Sequence, residues 1–221
     1  MPRFLHISAA SAIEVAYVTS AGNSGTAAGY TFSSVSLGAA TATREIFVLV
    51  GWNQGANQAL TSATIGGVSA TIVGQANNST VVGCALIRAA VPTGATGDVA
   101  VNFAGNVNSC GVGVYRAANR PVIGAAHTSL VSGTVILGTS INLSSVSVPA
   151  SGFTLSVCKP TFGGVSSPSV SGLNMAIDGN TTADSLVCFA GNGVQVSGAT
   201  DTIGWTWSGS SSGVALAASF S

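Results

Sequence analysis

The sequence predicts an all-β fold of two tandem, homologous β-sandwich repeats, jelly-roll or immunoglobulin-like, either separate or merged into one continuous sandwich. Residues 94–105, GATGDVAVNFAG, return 104 positions later (94 to 198) as residues 198–209, GATDTIGWTWSG. No segment sustains the i, i+3, i+4, i+7 apolar spacing of an amphipathic helix, whereas short alternating stretches bounded by glycine are frequent. A period of this length suits a small all-β domain.

Composition supports strands and excludes several classes of function. Of 221 residues, 47% are hydrophobic and only 5% are charged, against a usual charged share of about 25%. The apolar content is too high for a disordered chain. Six basic and six acidic residues are scattered singly and give a net charge of zero. This pattern argues against nucleic-acid partners, which require clustered Lys and Arg, and against an anionic membrane surface.

The N-terminal region and the apolar runs define the expected location. The longest wholly apolar run, Ile46 to Val50, is far too short to span a bilayer. The opening MPRFLHISAASA has one arginine but no adequate hydrophobic region, so no cleaved signal peptide is predicted. We expect the chain to fold in a host cytoplasm.

The first half of the chain divides into an arm and a repeat. Residues 1–29 form the arm, in which Ile13, Val15 and Tyr17 alternate as one strand before the turn AGNSGTAAG. Repeat 1 covers residues 30–118. Its predicted strands are 30–37, 45–52, 62–65, 68–73, 80–88, 98–103 and 111–116. Gly66-Gly67 predicts a two-residue hairpin, because glycine adopts the positive φ of a primed turn.

The second half repeats this order after a connector at residues 119–133. Repeat 2 covers residues 134–221. SSVSLG (33–38) is echoed by SSVSVP (144–149), and Phe47-Val48-Leu49 by Phe153-Thr154-Leu155. Gly67 matches Gly172, and Cys84 matches Cys188 at the same spacing of 104 (84 to 188). The segment 213–220 echoes 111–115.

One strand of repeat 1 is apolar on both faces, which predicts a covered surface. Ile46, Val48 and Val50 point away from Phe47 and Leu49. The matching strand of repeat 2 has Thr154, Ser156 and Cys158 there, which predicts a face in contact with water. Three alternatives could cover the second apolar face of this strand in repeat 1, namely the N-terminal segment, the other repeat or a partner chain. We favour an assembly surface, composed of Ile46, Val48, Val50, Ile13, Val15, Tyr17, Arg116 and Arg120.

No candidate motif predicts catalysis. Residues 209–213, GSSSG, match the G-x-S-x-G pattern of hydrolases, but no acid or histidine follows Ser211, so a Ser/Gly hairpin loop is predicted. The two histidines, His6 and His127, lie in connecting segments. Asp98 and Asp201 open equivalent strands and are interpreted as turn caps. The chain is therefore predicted not to be an enzyme.

The cysteines and tryptophans complete the candidate set. Cys84, Cys110, Cys158 and Cys188 lack CxxC spacing, so we predict buried free thiols and neither a metal nor a cofactor. Trp205 and Trp207 share one strand face. Their equivalents, Val101 and Phe103, predict that both tryptophans face the core, and the alternative is a platform that stacks on sugar rings.

With the duplication in view, the chain resembles a known family. The segments SSVSLGAATATREIFVLVGW, VVGCALIRAAVPTGATGDVAVNFAG and GVGVYRAANRPVIG resemble a Gly/Ala/Thr-rich, two-repeat β family met among virion proteins of tailed phages, phage-like particles and bacterial surface proteins. The resemblance covers most of the chain and transfers no functional residue. It implies a structural or attachment role.

We therefore interpret the chain as a non-enzymatic virion structural protein of a tailed phage or phage-like particle. Capsid decoration or cementing, a head fibre and a tail component are the roles that this interpretation includes. Expected partners are other virion proteins in a homo- or hetero-oligomer, and the expected location is the virion. The alternative is a module that binds a carbohydrate or host receptor, with a host-surface glycan as its ligand.

Overall fold

All regular secondary structure in the described residues is β, as the sequence predicts. The structure, a computed structural model, describes residues 12–78, 81–120, 122–161, 165–181 and 187–221. Among these residues there is no helix of the length and apolarity needed to cross a membrane. The strands are β1 (Glu14–Asn23), β2 (Ala27–Ser36), β3 (Glu45–Asn53), β4 (Leu60–Ile65), β5 (Val68–Ser69), β6 (Thr71–Asn78), β7 (Val82–Ala90), β8 (Thr96–Val107), β9 (Ser109–Ala118), β10 (Ser129–Val148), β11 (Phe153–Pro160), β12 (Ser166–Ser171), β13 (Ala176–Thr181), β14 (Val187–Gly191) and β15 (Ala199–Phe220).

The first sandwich consists of two antiparallel sheets. Its inner layer has the strand order β1-β9-β3-β7-β6, and its outer layer has the order β2-β8-β4-β5. The side chains between them form one apolar cluster that includes Val48, Trp52, Val99, Val101 and Phe103. The predicted hairpin at Gly66-Gly67 joins β4 to β5, and both glycines have positive φ (58° and 80°).

The second sandwich is a single sheet that folds over on itself. Residues 129–135 of β10 pair with residues 213–219 of β15, and β11, β14 and β13 extend this inner layer. Residues 140–148 of β10 pair with residues 199–206 of β15, which also pairs with β12 to form the outer layer. Register shifts between Val135 and Ser140 mark the point where β10 passes from one layer to the other.

The pairing pattern of the first sandwich recurs in the second. Strands β1 and β2 correspond to the two halves of β10, and β8 and β9 correspond to the two halves of β15. Tyr30 pairs with Val101 as Ile141 pairs with Trp205. Each β2-like segment carries a bulge with a serine of positive φ, Ser34 (54°) or Ser145 (60°). The domain boundaries given above stay a prediction.

The two sandwiches pack through their inner layers, so the molecule is a stack of four layers. This central interface is an apolar cluster to which the first sandwich contributes Phe47 and Leu49 and the second contributes Phe153, Leu155 and Phe220. The ring centroids of Phe47 and Phe220 are 4.7 Å apart. A strand in either inner layer therefore has a covered surface on both sides.

This layering shows that two predictions about exposed faces are wrong. Ile46, Val48 and Val50 are not an assembly surface, because they are 0% exposed and fill the core of the first sandwich under the outer layer. The strand is apolar on both faces because it lies in a middle layer. Thr154 and Ser156 are not in contact with water either, since both are 0% exposed inside the second sandwich.

The structure also corrects the predicted match between Cys84 and Cys188. Leu49 pairs with Leu86 in the first inner layer, whereas Leu155 pairs with Gly191 in the second. The equivalence in this strand is therefore offset by one residue from the spacing of 104. A one-residue offset reverses the faces of a strand. Cys84 accordingly lies in the central interface and Cys188 in the core of the second sandwich.

Two chain segments differ from the predicted elements because they cross between layers. The predicted strand 68–73 is divided at Ala70 into β5 in the outer layer and β6 in the inner layer. Residues 209–213 are not a hairpin loop, since they lie within the continuous strand β15. Gly209 has a positive φ of 81° at the point where β15 passes from the outer to the inner layer.

Candidate functional site

The predicted arm residues lie at one edge of the first inner layer. Strand β1 pairs with β9, with Val15 opposite Ala117 and Tyr17 opposite Tyr115. Ile13, Val15 and Tyr17 are partly buried against the central interface. The arm thus completes the chain's own sheet, and its apolar residues do not form an outward-facing surface.

A small cleft lies where this edge meets strand β13 of the second sandwich. Its volume is about 200 Å³, and its walls include Tyr17, Tyr115, Asn174, Asp178 and Gly191. The Tyr115 hydroxyl donates a hydrogen bond of 2.8 Å to Oδ2 of Asp178. Partial burial raises the pKa of Asp178, and burial raises the pKa of Tyr115. This contact was not predictable from the sequence, because the two residues belong to different repeats.

Two glycines, one beside the cleft and one in its wall, make room for the tyrosine rings. A Cβ atom at Gly179 would collide with the Tyr17 hydroxyl, and one at Gly191 would lie 3.1 Å from Cε1 of Tyr115. The Tyr17 and Tyr115 rings meet edge to face, with centroids 5.4 Å apart. The cleft is thus a polar contact between the two sandwiches, held by hydrogen bonding and close packing.

Arg116 and Arg120 do not reach outward, as the predicted assembly surface requires. Arg116 is 8% exposed, pairs with Glu14 at 2.9 Å and donates to the backbone oxygen of Ala39. Arg120 is 2% exposed and forms an ion pair with the buried Glu45. Both arginines are therefore internal contacts of the fold.

The ion pair of Arg120 belongs to a larger buried group at one end of the central interface. Glu45 also pairs with Arg88, at 3.4 Å. The guanidinium carbon of Arg120 lies 5.6–5.7 Å from the ring centroids of Phe47, Phe153 and Phe220. Arg88 donates to the backbone oxygens of Gly124 and Ala125 in the connector. The connector therefore contacts both sandwiches through charged hydrogen bonds and cation–π interactions.

The two tryptophans face the core, as their repeat-1 equivalents predict. Trp205 is 0% exposed and Trp207 is 5% exposed, and both lie in the apolar cluster of the second sandwich with Ile203. The alternative of a sugar-stacking platform is wrong, because neither ring face is accessible. Trp205 takes the place of Val101, and its Nε1 donates to Ser156.

The buried thiols and Lys159 form a second group of titratable residues. All four cysteines are free and buried, as predicted. Lys159 is 0% exposed, and its Nζ donates to the backbone oxygen of Pro160 at 2.8 Å. Burial lowers the pKa of Lys159 to about 7. Burial raises the pKa of every thiol, so none is an activated nucleophile.

The other predicted catalytic candidates also have structural contacts. Ser211 is 4% exposed and its Oγ lies 2.6 Å from Oγ1 of Thr161. Asp98 accepts from the backbone N–H of Ser34 in β2 at 2.9 Å, and Asp201 accepts from the N–H of Thr202 at 2.7 Å, so these hydrogen bonds differ from the predicted Asx caps of the preceding turns. His127 is exposed in the connector. His6 lies outside the described residues.

The distribution of charge is the main surface feature that the sequence alone did not predict. Every described Lys and Arg side chain is buried, namely Arg44, Arg88, Arg116, Arg120 and Lys159. The exposed charged residues in the described ranges are four carboxylates, at Glu14, Asp98, Asp178 and Asp201. The surface between them is formed largely of hydroxyl and amide side chains. On the second outer layer, Ser169 meets Thr206 and Ser166 meets Ser208 across strands, each at 2.6 Å.

Two further surface features are a groove and an apolar protrusion. The groove, about 540 Å³, lies on the first outer layer beside the 94–97 turn and includes Asp98. The buried Arg44 supports this turn by donating to the backbone oxygens of Thr93 and Gly94, each at 2.7 Å. The protrusion is Ile136-Leu137, where the side chains are 73% and 78% exposed and Leu137 has a positive φ of 109°.

The sequence contains a pattern that indicates this protrusion. Two consecutive large apolar residues interrupt the alternation of β10 at the corner where repeat 1 has the polar turn between β1 and β2. The corresponding corner of the first sandwich is Asn-Ser-Gly-Thr (residues 23–26).

Comparisons with known proteins leave the family open. No protein-family model matches the chain, and no curated protein matches it. A solved structure of a turret protein in Sulfolobus turreted icosahedral virus is similar to 94% of this chain over 100% of its own length, with 14% identity and a TM-score of 0.24. A similarity at that TM-score carries no argument about either the fold or the function of this chain.

Proposed function

We propose that this chain is a non-enzymatic structural protein of a virion, of the tailed-phage or phage-like type, acting in capsid decoration or cementing, a head fibre or a tail. The observation that carries this proposal is the inward placement of every described Lys and Arg side chain. The exposed surface then presents hydroxyl, amide and small apolar groups with only scattered carboxylates. Such a surface lacks the charge repulsion that keeps soluble proteins apart.

The interior supports a mechanical role. Three apolar clusters fill the spaces between four β layers, and the buried ion pairs of Glu45 connect the sandwiches at the connector. Most of the described backbone lies in antiparallel strands, and the buried charged side chains make contacts within the fold. A rigid, weakly charged body of this kind is suited to being covered by neighbouring subunits.

The proposal is tested by locating the chain in particles. Particles produced by cells that express the encoding genome are purified on a density gradient and probed with an antibody raised against this chain. The expected result is that the chain migrates with intact particles and that electron microscopy of labelled particles places it on the head or tail. Recovery of the chain exclusively in the soluble fraction would overturn the proposal.

A further inference from the structure

The unpaired edge of the second inner layer is the surface that differs from the other edges. The first half of β10, residues 129–135, pairs with β15 on one side, and no described strand pairs with it on the other. An edge strand exposes N–H and C=O groups that form the template for another strand. This segment, SLVSGTV, is called the β10 edge below.

The other sheet edges carry the features that prevent strand addition. A charged residue and a bulge interrupt β1 at Glu14 and Tyr17, and the same combination occurs in β13 at Asp178. Bulges also interrupt β2, β6 and the second half of β10, and β12 has both a bulge and Pro168. The remaining edge strand, β5, is only 2 residues long, and a very short edge is protected by its length. Charges, prolines and bulges are the usual protections of an edge strand.

The β10 edge lacks all three protections. Ser129 to Val135 pair with β15 in an unbroken register, and the segment contains neither a charged residue nor a proline. Leu130 is 38% exposed along it and lies against Gly74 of β6. At the end of the segment the backbone oxygen of Val135 accepts from the Asn78 side chain, and the exposed Ile136-Leu137 protrusion follows directly. Apolar side chains beside an open ladder favour contact with a second surface.

We propose that this edge pairs with the same edge of a second copy of the chain, so that two protomers form a dimer. Antiparallel pairing of identical strands about a two-fold axis is self-complementary, and a segment without charge brings no like charges together. Centred on Ser132, the pairing places Ser129 of one protomer opposite Val135 of its partner, and Leu130 opposite Thr134. The inner layers of the two protomers then form one continuous sheet.

A second copy fits this edge better than a protein of unlike sequence for two reasons. The described part of the chain exposes no Lys or Arg side chain that would select an acidic partner, and the exposed side chains of the edge, Leu130, Ser132 and Thr134, are uncharged. Each protomer also supplies an Ile136-Leu137 pair, which reaches beyond the paired segment toward residues 127–128 of its partner. Those apolar side chains would then be removed from water.

This dimer contact is one contact of the proposed structural role. Its biological purpose rests on that proposed role, whereas the dimer itself does not depend on it. Particle labelling tests the role, whereas the oligomeric state of the purified chain tests the pairing, so each is able to fail alone. The purified full chain is measured by sedimentation velocity over a range of concentrations. A dimer is expected for the unmodified chain.

Charge variants at the centre of the edge locate the contact. Ser132 is exposed and lies opposite Ser132 of the partner, so Ser132→Lys and Ser132→Glu each place like charges face to face. Each variant alone is expected to be monomeric where the unmodified chain is dimeric, and an equal mixture of the two is expected to restore the dimer. The matched control is Thr202→Lys, an exposed strand residue of the second outer layer, which should leave the dimer unchanged.

Several results would overturn the proposal. They are a monomeric unmodified chain, a dimer that survives both Ser132 variants, and a mixture that stays monomeric. A monomer that joins particles through a different protein would place that protein's strand on the edge instead. If the variants fail to fold, amide hydrogen exchange of the unmodified chain tests the pairing instead. The amides of residues 129–135 should then become more protected from exchange as the protein concentration rises. Protection independent of concentration would count against pairing.

Discussion

Trp205 and Ser156 form a hydrogen-bonded pair inside the second sandwich, with Nε1 of the indole 2.9 Å from Oγ of the serine. Ser156 Oγ in turn donates to the backbone oxygen of Leu216 at 3.0 Å. The equivalent positions of the first sandwich, Val101 and Val50, are both apolar. A buried indole N–H requires an acceptor, so the valine-to-tryptophan difference is matched by a valine-to-serine difference in the facing strand.

This pairing predicts a measurable coupling between the two residues. Ser156→Ala should lower the free energy of unfolding by about 1–3 kcal/mol, because the buried N–H of Trp205 loses its acceptor. The double variant Ser156→Ala/Trp205→Phe should lose less than the sum of the two single variants. Urea unfolding followed by circular dichroism measures all three, and strictly additive losses would contradict the pairing.

Lys159 predicts a rise in stability with pH. Its pKa is lowered from 10.5 to about 7 in the folded chain by burial. Between those values the unfolded chain binds more protons than the folded chain, so the free energy of unfolding should increase as pH rises from about 7 toward 10. Below about pH 7 Lys159 is protonated in both states, so it adds no further pH dependence there. Lys159→Met should remove this increase and be more stable than the unmodified chain at pH 7.

The test compares the stability of the Lys159→Met variant with that of the unmodified chain at each pH. The buried thiols are common to both, and their ionisation in the unfolded chain above pH about 8.5 lowers stability in both. Thermal unfolding between pH 6 and 10 gives the comparison. Parallel curves for the two chains would show that Lys159 does not titrate in this range.

Glu45 predicts a large loss from a single neutralised carboxylate. Glu45→Gln leaves the buried Arg88 and Arg120 without their counter-charge and should destabilise the fold by about 3–5 kcal/mol. Glu14→Gln is the matched control, because Glu14 also pairs with an arginine but its side chain is 57% exposed, and it should cost at most about 1 kcal/mol. Guanidinium denaturation measures both, and equal losses would contradict the burial of the Glu45 group.

The triple variant Ile46→Thr/Val48→Thr/Val50→Thr distinguishes a core from an interface. Burying these side chains contributes about 1.5–3 kcal/mol each, so their replacement should unfold the chain or leave it close to unfolding. Ser166→Ala/Ser169→Ala/Thr206→Ala, on the exposed face of the second outer layer, is the control and should stay folded. A folded, soluble triple-threonine variant would restore the assembly-surface interpretation.

The proposed absence of catalysis predicts silent substitutions. Ser211→Ala and His127→Ala should leave the biological activity of the folded chain unchanged, because Ser211 contacts Thr161 and His127 lies in the connector. His6→Ala carries the same expectation from the sequence. Infectivity or particle yield is the measurement, with unfolding curves run in parallel. A large loss of activity in a stable Ser211→Ala protein would contradict the non-enzymatic proposal.

The sequence was sufficient for the fold class and for the orientation of the tryptophans, because both follow from the repeated alternation. Val101 and Trp205 occupy the same register, so the face of one predicts the face of the other. The layer order was not predictable, since Val48 and Leu49 are equally apolar and alternation alone does not say which side meets the chain's own sandwich. The same limit explains why Ser156 was expected to face water.

The continuous strand β15 was not predicted for a different reason. Glycine and serine at residues 209–213 are typical of a hairpin loop, yet in β15 they allow a strand to cross from one layer to the next. The Tyr115–Asp178 contact depends on the packing of two repeats, which no local pattern encodes. The β10 edge became visible only when its register could be compared with the bulged edges elsewhere.

The central interface has a consequence for the origin of the molecule. Phe47 and Leu49 on one side face Phe153 and Leu155 on the other, and these are equivalent positions of the two repeats. Two copies of a single-repeat ancestor would meet through this same face as a homodimer. Tandem duplication of the gene turns that encounter into an intramolecular one, at an effective concentration on the order of millimolar for a short connector. Afterwards each half is free to diverge, as the difference between Val101 in the first half and Trp205 in the second illustrates.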